Sequence, residues 1–289
     1  MDNEELTLFR DMARRAFEQE IGPHYAAWEE QHMVPRELWN TLGEAGLLCP
    51  DMPEEYGGAG TTPHVCLALI EELSRMGMGG LASGYGIHSN IVAPYINHFG
   101  TEEQKQQWLP KMISGEAVGA LAMTEPGAGS DLQAIRTNAV QDGDEWVLNG
   151  SKIFITNGWH ADLVIVAAIT DPGKGAKGTS LFLVDTSLPG FEKGKKIEKI
   201  GQHASDTAEL FFQDVRLPGS ALLGEVNKGF VIMMRELPRE RLGIAAQAVA
   251  AAEGALDITV EYVLERKAFG QTVASFQNTR FKLAEVKTE

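Results

Sequence analysis

The sequence is short of positive charge. Lys and Arg number 25 against 40 Asp and Glu, a net charge of −15. Such a balance argues against nucleic acid, whose phosphates need clustered Lys and Arg. It leaves room for an anionic coenzyme, which a few local Arg residues can hold. Cysteine is nearly absent. Cys49 and Cys66 stand alone without metal-ligand spacing, which fits a reducing compartment and argues against structural zinc. No run of 18 apolar residues occurs, so no transmembrane helix is expected. The start, Met1-Asp2-Asn3-Glu4-Glu5, is acidic and lacks the apolar core of a signal peptide. A bacterial cytoplasmic location is expected, or the mitochondrial matrix for a mature eukaryotic form.

Several catalytic signatures are missing too. The glycine loop at 127–129 is followed by no Gly-Lys-Ser/Thr and lacks the G-x-G-x-x-G spacing. Gly-x-Ser-x-Gly is absent, so a serine-hydrolase elbow is not present. His88, His98, His160 and His203 are dispersed without HxxxH or HxxE spacing, and no metal site is expected.

What is there reads as α, then β, then α, an α+β chain. Its 44% hydrophobic content suffices for one large or two small cores. Phe9, Met12, Ala13, Ala16 and Phe17 share one face of a first helix. Pro35 opens a second, with Leu38 and Leu42 inward, and residues 63–76 form a third. Residues 81–98 read as one buried helix, and Thr101 to Gln104 as a capping box. After Gly115 come short apolar runs at 118–123, 146–148, 153–155, 163–169, 180–184 and 210–215, separated by turn residues. Sequential strands without intervening helices predict an antiparallel β domain. Helices return from Asn227, with an Ala-rich helix over 245–264. The last residues keep a helical spacing without a stop signal, so a C-terminally truncated chain is expected.

The most informative stretch is Ala122-Met123-Thr124-Glu125-Pro126-Gly127-Ala128-Gly129-Ser130-Asp131. An apolar run breaks into a loop in which Gly127 and Gly129 expose bare peptide N–H groups, while Thr124 and Ser130 add hydroxyls. Such a loop can hold a polar, electron-accepting ring; taken alone it is equally an ordinary strand-end turn. Further on come Lys152-Ile153-Phe154-Ile155-Thr156-Asn157-Gly158, Glu236-Leu237-Pro238-Arg239-Glu240-Arg241-Leu242, and Glu265-Arg266-Lys267-Ala268-Phe269-Gly270-Gln271 with Gln277.

In this order, the four runs resemble the acyl-CoA dehydrogenases, and the 236–242 segment looks most like the long-chain members. The resemblance implies a helical N-terminal domain (1–115), a middle antiparallel β-barrel domain (116–226) and a C-terminal helical bundle, incomplete here (227–289). It implies FAD-dependent desaturation of an acyl-CoA thioester between Cα and Cβ, in fatty-acid or branched-chain acyl oxidation. Electrons would pass to an electron-transferring flavoprotein. That chemistry needs a base for the α-proton and a hydride acceptor, and no side chain accepts a hydride.

By resemblance, Leu121, Ala122, Met123, Thr124, Gly129 and Ser130 face the flavin from one side, and Phe154, Ile155 and Thr156 from the other. Many relatives carry Trp where this chain has Phe154; alone, Phe154 reads as a strand core residue. Arg266, Phe269 and Gln277 would reach the FAD of a neighbouring subunit, implying a dimer or tetramer. Without the family register, Arg266 is a solvated helix-end residue and Phe269 a cap contact. Glu240 would be the base. On composition alone it reads first as a surface carboxylate paired with Arg239 or Arg241; the family register makes it catalytic. Ser130, Ala176, Lys177, Val231, Pro238, Arg239 and Arg241 would meet the acyl-CoA. Two other readings stay open: an acyl-CoA oxidase-like flavoenzyme using O₂, and a non-catalytic acyl-CoA-binding relative.

Overall fold

The computed structural model describes residues 3–289. Helix α1 (Asn3–Glu20) buries Ala13 and Phe17, one turn apart, with Phe9 and Ala16 half-buried. Met12, expected on the same face, points to solvent. Helix α2 (Gly22–Gln31) has no buried residue and so left no apolar period to read. Helix α3 (Glu37–Glu44) buries Leu38, Trp39 and Leu42 and starts just past the predicted Pro35. Helix α4 (Pro63–Arg75) begins on proline, whose missing N–H costs nothing in a first turn. Arg10 and Arg14 of α1 reach across to its buried Glu72, at 3.0 and 2.8 Å.

The stretch expected as a single helix over 81–98 is three segments end to end. They are α5 (Gly79–Tyr85), a π-helical segment (Gly86–Val92) and α6 (Ala93–Phe99). Helix α7 (Glu102–Ile113) opens on the expected capping box. The Gln104 N–H donates to Thr101 Oγ1 and the Thr101 N–H to Gln104 Oε1.

Eight strands form one sheet: β1 (Gly119–Ala122), β2 (Asn138–Asp142), β3 (Glu145–Thr156), β4 (Leu163–Ile169), β5 (Thr179–Asp185), β6 (Phe191–Lys196), β7 (Thr207–Pro218) and β8 (Leu222–Leu223). The α+β class holds, but the expected antiparallel barrel does not. The order is β6-β7-β3-β2-β4-β5-β8, with β1 added beside β4, and among the described residues β6 and β8 do not pair. The sheet is therefore open, not closed. Nor is it wholly antiparallel: β1 lies parallel to β4, from Gly119 beside Leu163 to Ala122 beside Val166. The β2–β3 hairpin interposed between them in sequence carries the chain back, so that β4 re-enters in the direction of β1.

Two cores flank this sheet. Leu163, Ile165, Ala167, Leu181 and Leu183 face the helices; Val164, Val166, Ala168, Phe182, Leu210 and Phe212 pack on the other side. Burial on both faces explains why β4 reads as an unbroken apolar run. His88 of the π-helical segment stitches the helical layer to the sheet. It accepts from the Gly119 N–H at Nδ1 (3.1 Å), and its Nε2 lies 3.0 Å from the Met112 carbonyl. Burial pushes its pKa down to about 4, so the ring is neutral and Nε2–H donates.

Helix α8 (Gly229–Glu265) runs 37 residues with Pro238 inside it. An 18-residue window reaches a mean hydropathy of 1.2, so α8 is long and apolar enough to cross a membrane by length and composition alone. It packs along α4, and at Gly254 the two backbones come close. A Cβ there would sit 2.0 Å from the Arg75 carbonyl oxygen. A two-stranded ribbon, β9 (Lys267–Ala268) with β10 (Gln271–Thr272), leads to α9 (Gln277–Thr288), which buries no residue. Gly254→Val must push the two helices apart against backbone atoms. It is expected to destabilise the protein by about 2 kcal/mol or more, read from the urea midpoint, whereas Ala251→Val on the exposed face should change it by under about 0.5 kcal/mol.

Candidate functional site

The first third of α8 brings a carboxylate out of water. Glu240 is 8% exposed, and its Oε1 accepts a 2.7 Å hydrogen bond from the Tyr95 hydroxyl of α6. Burial pushes the Glu240 pKa up. The Tyr95 bond opposes this, Glu236 one turn earlier adds to it, and Arg241 pulls it down; the net direction is upward. Glu236 is itself buried and lies 2.8 Å from His98 Nδ1.

Glu240 lines a cavity of about 190 Å³ together with Thr156, Ile70, Ile87, Ile91 and Ile244. Thr156 ends β3, and α8 crosses the mouth of the cavity one helical turn later at Gly243. A Cβ at Gly243 would come within 2.8 Å of Asn90 Nδ2, so glycine keeps this wall open. The arrangement can hold an apolar chain with a buried carboxylate at one side and a hydroxyl at another.

The glycine loop is fixed by a buried ion pair. Lys152 of β3 is 1% exposed and donates to Glu125 Oε1 (2.8 Å) and to the Met123 carbonyl (2.9 Å). Glu125 also accepts from the N–H groups of Arg136 (2.6 Å) and Thr137 (3.0 Å). Burial raises the Glu125 pKa, but Lys152 and the backbone donors outweigh it and hold the group below the usual carboxylate range. Burial pushes Lys152 down against the pull of Glu125. The loop is tied once more where the Ile153 N–H donates to the Thr124 carbonyl (3.0 Å).

Beyond this anchor the loop faces outward. Gly129 and Ser130 are exposed, and a Cβ at Gly127 or Gly129 would meet nothing within 4 Å. Leu121 and Ala122 are buried in β1, while Met123 and Thr124 are half-buried. Across from them Phe154 holds φ +61° and is 61% exposed, an aromatic ring turned out of a strand by a left-handed backbone. Its neighbour Ile155 points into the sheet core. Asn157 pins the end of β3 to the helices by donating to the Gly84 carbonyl (2.8 Å) and the Gly119 carbonyl (3.2 Å).

The other residues singled out from sequence lie apart from this cavity. Arg239, expected on the substrate side, turns inward, with Nη2 2.6 Å from Asp51 and Nε 3.0 Å from Asn90. Arg241, Pro238 and Val231 are exposed on α8. Ala176 and Lys177 sit in a turn over Pro172–Gly178, with Lys177 in solvent. Arg266, Phe269 and Gln277 are exposed around the ribbon, with Phe269 meeting Phe276 edge to face. His203 stacks on His32 at 4.4 Å, and its Nε2 is buried without a hydrogen-bond partner. Among residues 3–289, no cluster of three or more His, Cys, Asp or Glu could hold a metal.

Sequence reasoning passed over Tyr95, Glu125 and Lys152. Tyr95 lay inside an apolar stretch. Glu125 stands within the glycine loop and Lys152 heads the next run, neither marked by a motif of its own. A Lys at the head of an apolar strand run, with a Glu in the loop before it, was the readable signal.

Three family models match in sequence order: the N-terminal domain of acyl-CoA dehydrogenase at residues 3–116, its middle domain at 120–215 and its C-terminal domain at 227–289. The chain is 52% identical over 283 residues to the mitochondrial long-chain specific acyl-CoA dehydrogenase of Sus scrofa, covering 97% of this chain. It spans 65% of the length of that relative. It superposes on the crystal structure of acyl-CoA dehydrogenase from Geobacillus kaustophilus with a TM-score of 0.96 at 49% identity, covering 99% of this chain and 76% of that one. A glutaryl-CoA dehydrogenase from Mycobacterium smegmatis, solved in complex with FADH2, gives a TM-score of 0.91 at 34% identity, covering 99% and 72%.

The ion pair beneath the loop makes a stability test. Lys152→Met leaves a buried carboxylate without its cation and is expected to cost about 3–5 kcal/mol by chemical denaturation; adding Glu125→Gln should recover part of this. Because the folded pKa of Glu125 is depressed, its stabilisation is full above the unfolded carboxylate value of about 4 and is lost as pH falls through the folded value. Denaturation midpoints followed downward in pH should therefore fall less steeply for Glu125→Gln than for the wild type.

Proposed function

The chain belongs to the acyl-CoA dehydrogenase family, and from that premise we propose that the complete protein desaturates acyl-CoA thioesters to trans-2-enoyl-CoA with FAD. The observation that carries the reading is the shared cavity of Glu240 and Thr156. It sets a buried carboxylate of raised pKa, the kind of group suited to proton abstraction, beside the strand that also displays Phe154. The residues fit a flavin. An outward aromatic ring, open backbone at Gly127 and Gly129 and the hydroxyls of Thr124 and Thr156 are what a flat, polar-edged ring requires.

When bound, the flavin supplies the two-electron acceptor. The chain's own residues do the rest. Glu240 takes the α-proton. The isoleucines of the cavity exclude water from the reacting carbons, which keeps the carboxylate weakly solvated and basic. Lys152 and Glu125 hold the Thr124–Ser130 loop in place before any ligand arrives. Exposed Arg241 and Lys177 are proposed to meet the coenzyme A phosphates, and Ser130, Ala176, Val231 and Pro238 the rest of the acyl-CoA. Arg239 is committed to Asp51 and Asn90 and is proposed to hold the base-bearing turn rather than touch the substrate.

Leu121 to Thr124, Gly129 and Ile155 complete the flavin surroundings in this reading. Arg266, Phe269 and Gln277, all at the surface, reach the FAD of a neighbouring subunit in a dimer or tetramer. Residues 1–115, 116–226 and 227–289 act as the three domains, and electrons leave to an electron-transferring flavoprotein. The long-chain relative favours a long acyl substrate. Its mitochondrial origin fits a matrix enzyme, and the Geobacillus structure fits a bacterial one.

Two measurements test this. The complete protein is expected to copurify with about one FAD per subunit; a colourless protein that takes up no added FAD refutes the reading. Glu240→Gln should keep FAD and acyl-CoA affinity while slowing flavin bleaching by roughly 10²-fold or more in stopped flow at saturating acyl-CoA. Wild-type bleaching by that variant would place the base elsewhere.

A further inference from the structure

Tyr95 has no exposed surface, and its hydroxyl makes one hydrogen bond, to Glu240 Oε1 at 2.7 Å. A buried hydroxyl so placed has nowhere else to donate, and moving the carboxylate away would orphan it. Glu240 is in turn held at one oxygen only. The charged groups around it are Glu236 and Arg241 on its own helix, with Glu236 engaged by His98 from α6. From α4, α5, the π-helical segment and β3 the cavity brings Ile70, Ser83, Asn90 and Thr156, none of them charged.

We propose that Tyr95 is the positioning residue of the base: its hydroxyl occupies Oε1 of Glu240, leaving Oε2 as the oxygen that takes the substrate's α-proton. The inference rests on the assignment of Glu240 above. In the step, the α C–H bond breaks, its proton goes to Oε2, and its electron pair enters the new Cα–Cβ double bond. The β-hydrogen leaves with its own pair to the flavin acceptor. Tyr95 stays bonded to Oε1 before and after, so the transfer needs no reorganisation of the buried hydroxyl. The bond also keeps the carboxylate in one rotamer, against the rotamer entropy that an unbonded Glu side chain would gain by leaving it.

Tyr95→Phe keeps the ring and removes the donor. The Glu240 carboxyl stretch, isolated by infrared difference against Glu240→Gln in substrate-free protein, should titrate about one pH unit higher in Tyr95→Phe than in wild type. Replacing Tyr95 with 3-fluorotyrosine, a stronger donor of nearly the same size, should move the midpoint down. This second substitution decides the matter if Tyr95→Phe does not fold. The acid limb of flavin bleaching should move in the same directions. Midpoints that stay at the wild-type value, with Glu240→Gln still slow to bleach, overturn the role of Tyr95 and leave Glu240 as the base. Wild-type bleaching by Glu240→Gln overturns both.

Discussion

A lysine ammonium cut off from water is tolerable only beside an anion, and the geometry around Lys152 follows from that requirement. The cation rises from β3, inside the sheet, and its partner must come from a segment that can bring a carboxylate to the same depth. Glu125 does so because the chain leaves β1 at Ala122 and turns at once. The loop after β1 is therefore bound to β3 by charge as well as by the Ile153 to Thr124 backbone bond. From this come the depth of Thr124, the outward path of Gly127 to Ser130, and the start of β2 after Arg136 and Thr137 have given their N–H groups to Glu125.

The second requirement is that the sheet and the helices share one site: two polar side chains join the layers and a third joins two helices that wall the cavity. His88 reaches Gly119 from the π-helical segment, Asn157 reaches Gly84 from the end of β3, and Tyr95 reaches Glu240 from α6. Each is buried, and each bridges two elements far apart in sequence. Hydrophobic contact alone would leave the layers free to slide; these directional bonds fix where Thr156 stands relative to α8. The cavity is the space left between them.

Periodicity made some of this legible. The capping box at Thr101, the first turn of α4 at Pro63 and the span of β4 were all read from residues whose local physics decides the outcome. Helix α2 and strands β2 and β6 escaped notice because they bury little: α2 has no buried residue, and β6 is a Lys-rich edge strand. The runs at 146–148 and 153–155 proved to be one strand, since Asn149, Gly150 and Ser151 interrupt the pattern while β7 pairs across the gap. The barrel failed for a different reason: closure depends on whether edge strands meet, which no local pattern encodes. The motifs singled out Glu240 and Thr156, which line one cavity, but the Tyr95 bond to Glu240 and the Glu125–Lys152 pair under the loop are tertiary facts.

Helix α8 is also a mechanical element. At about 1.5 Å per residue its 37 residues make a rod roughly 55 Å long. Gly254 sets its backbone against that of α4 and divides the rod into two arms. Glu240 lies on one arm, about 21 Å away. Ile258, Tyr262 and Leu264 crowd the other arm and face solvent. A tilt of about 2° about that point would carry the carboxylate about 0.7 Å, the scale on which proton-transfer geometry is made or lost, and the bonds to Tyr95, His98 and Asp51 oppose it. A load on the exposed arm is therefore resisted at the turn that carries Glu240.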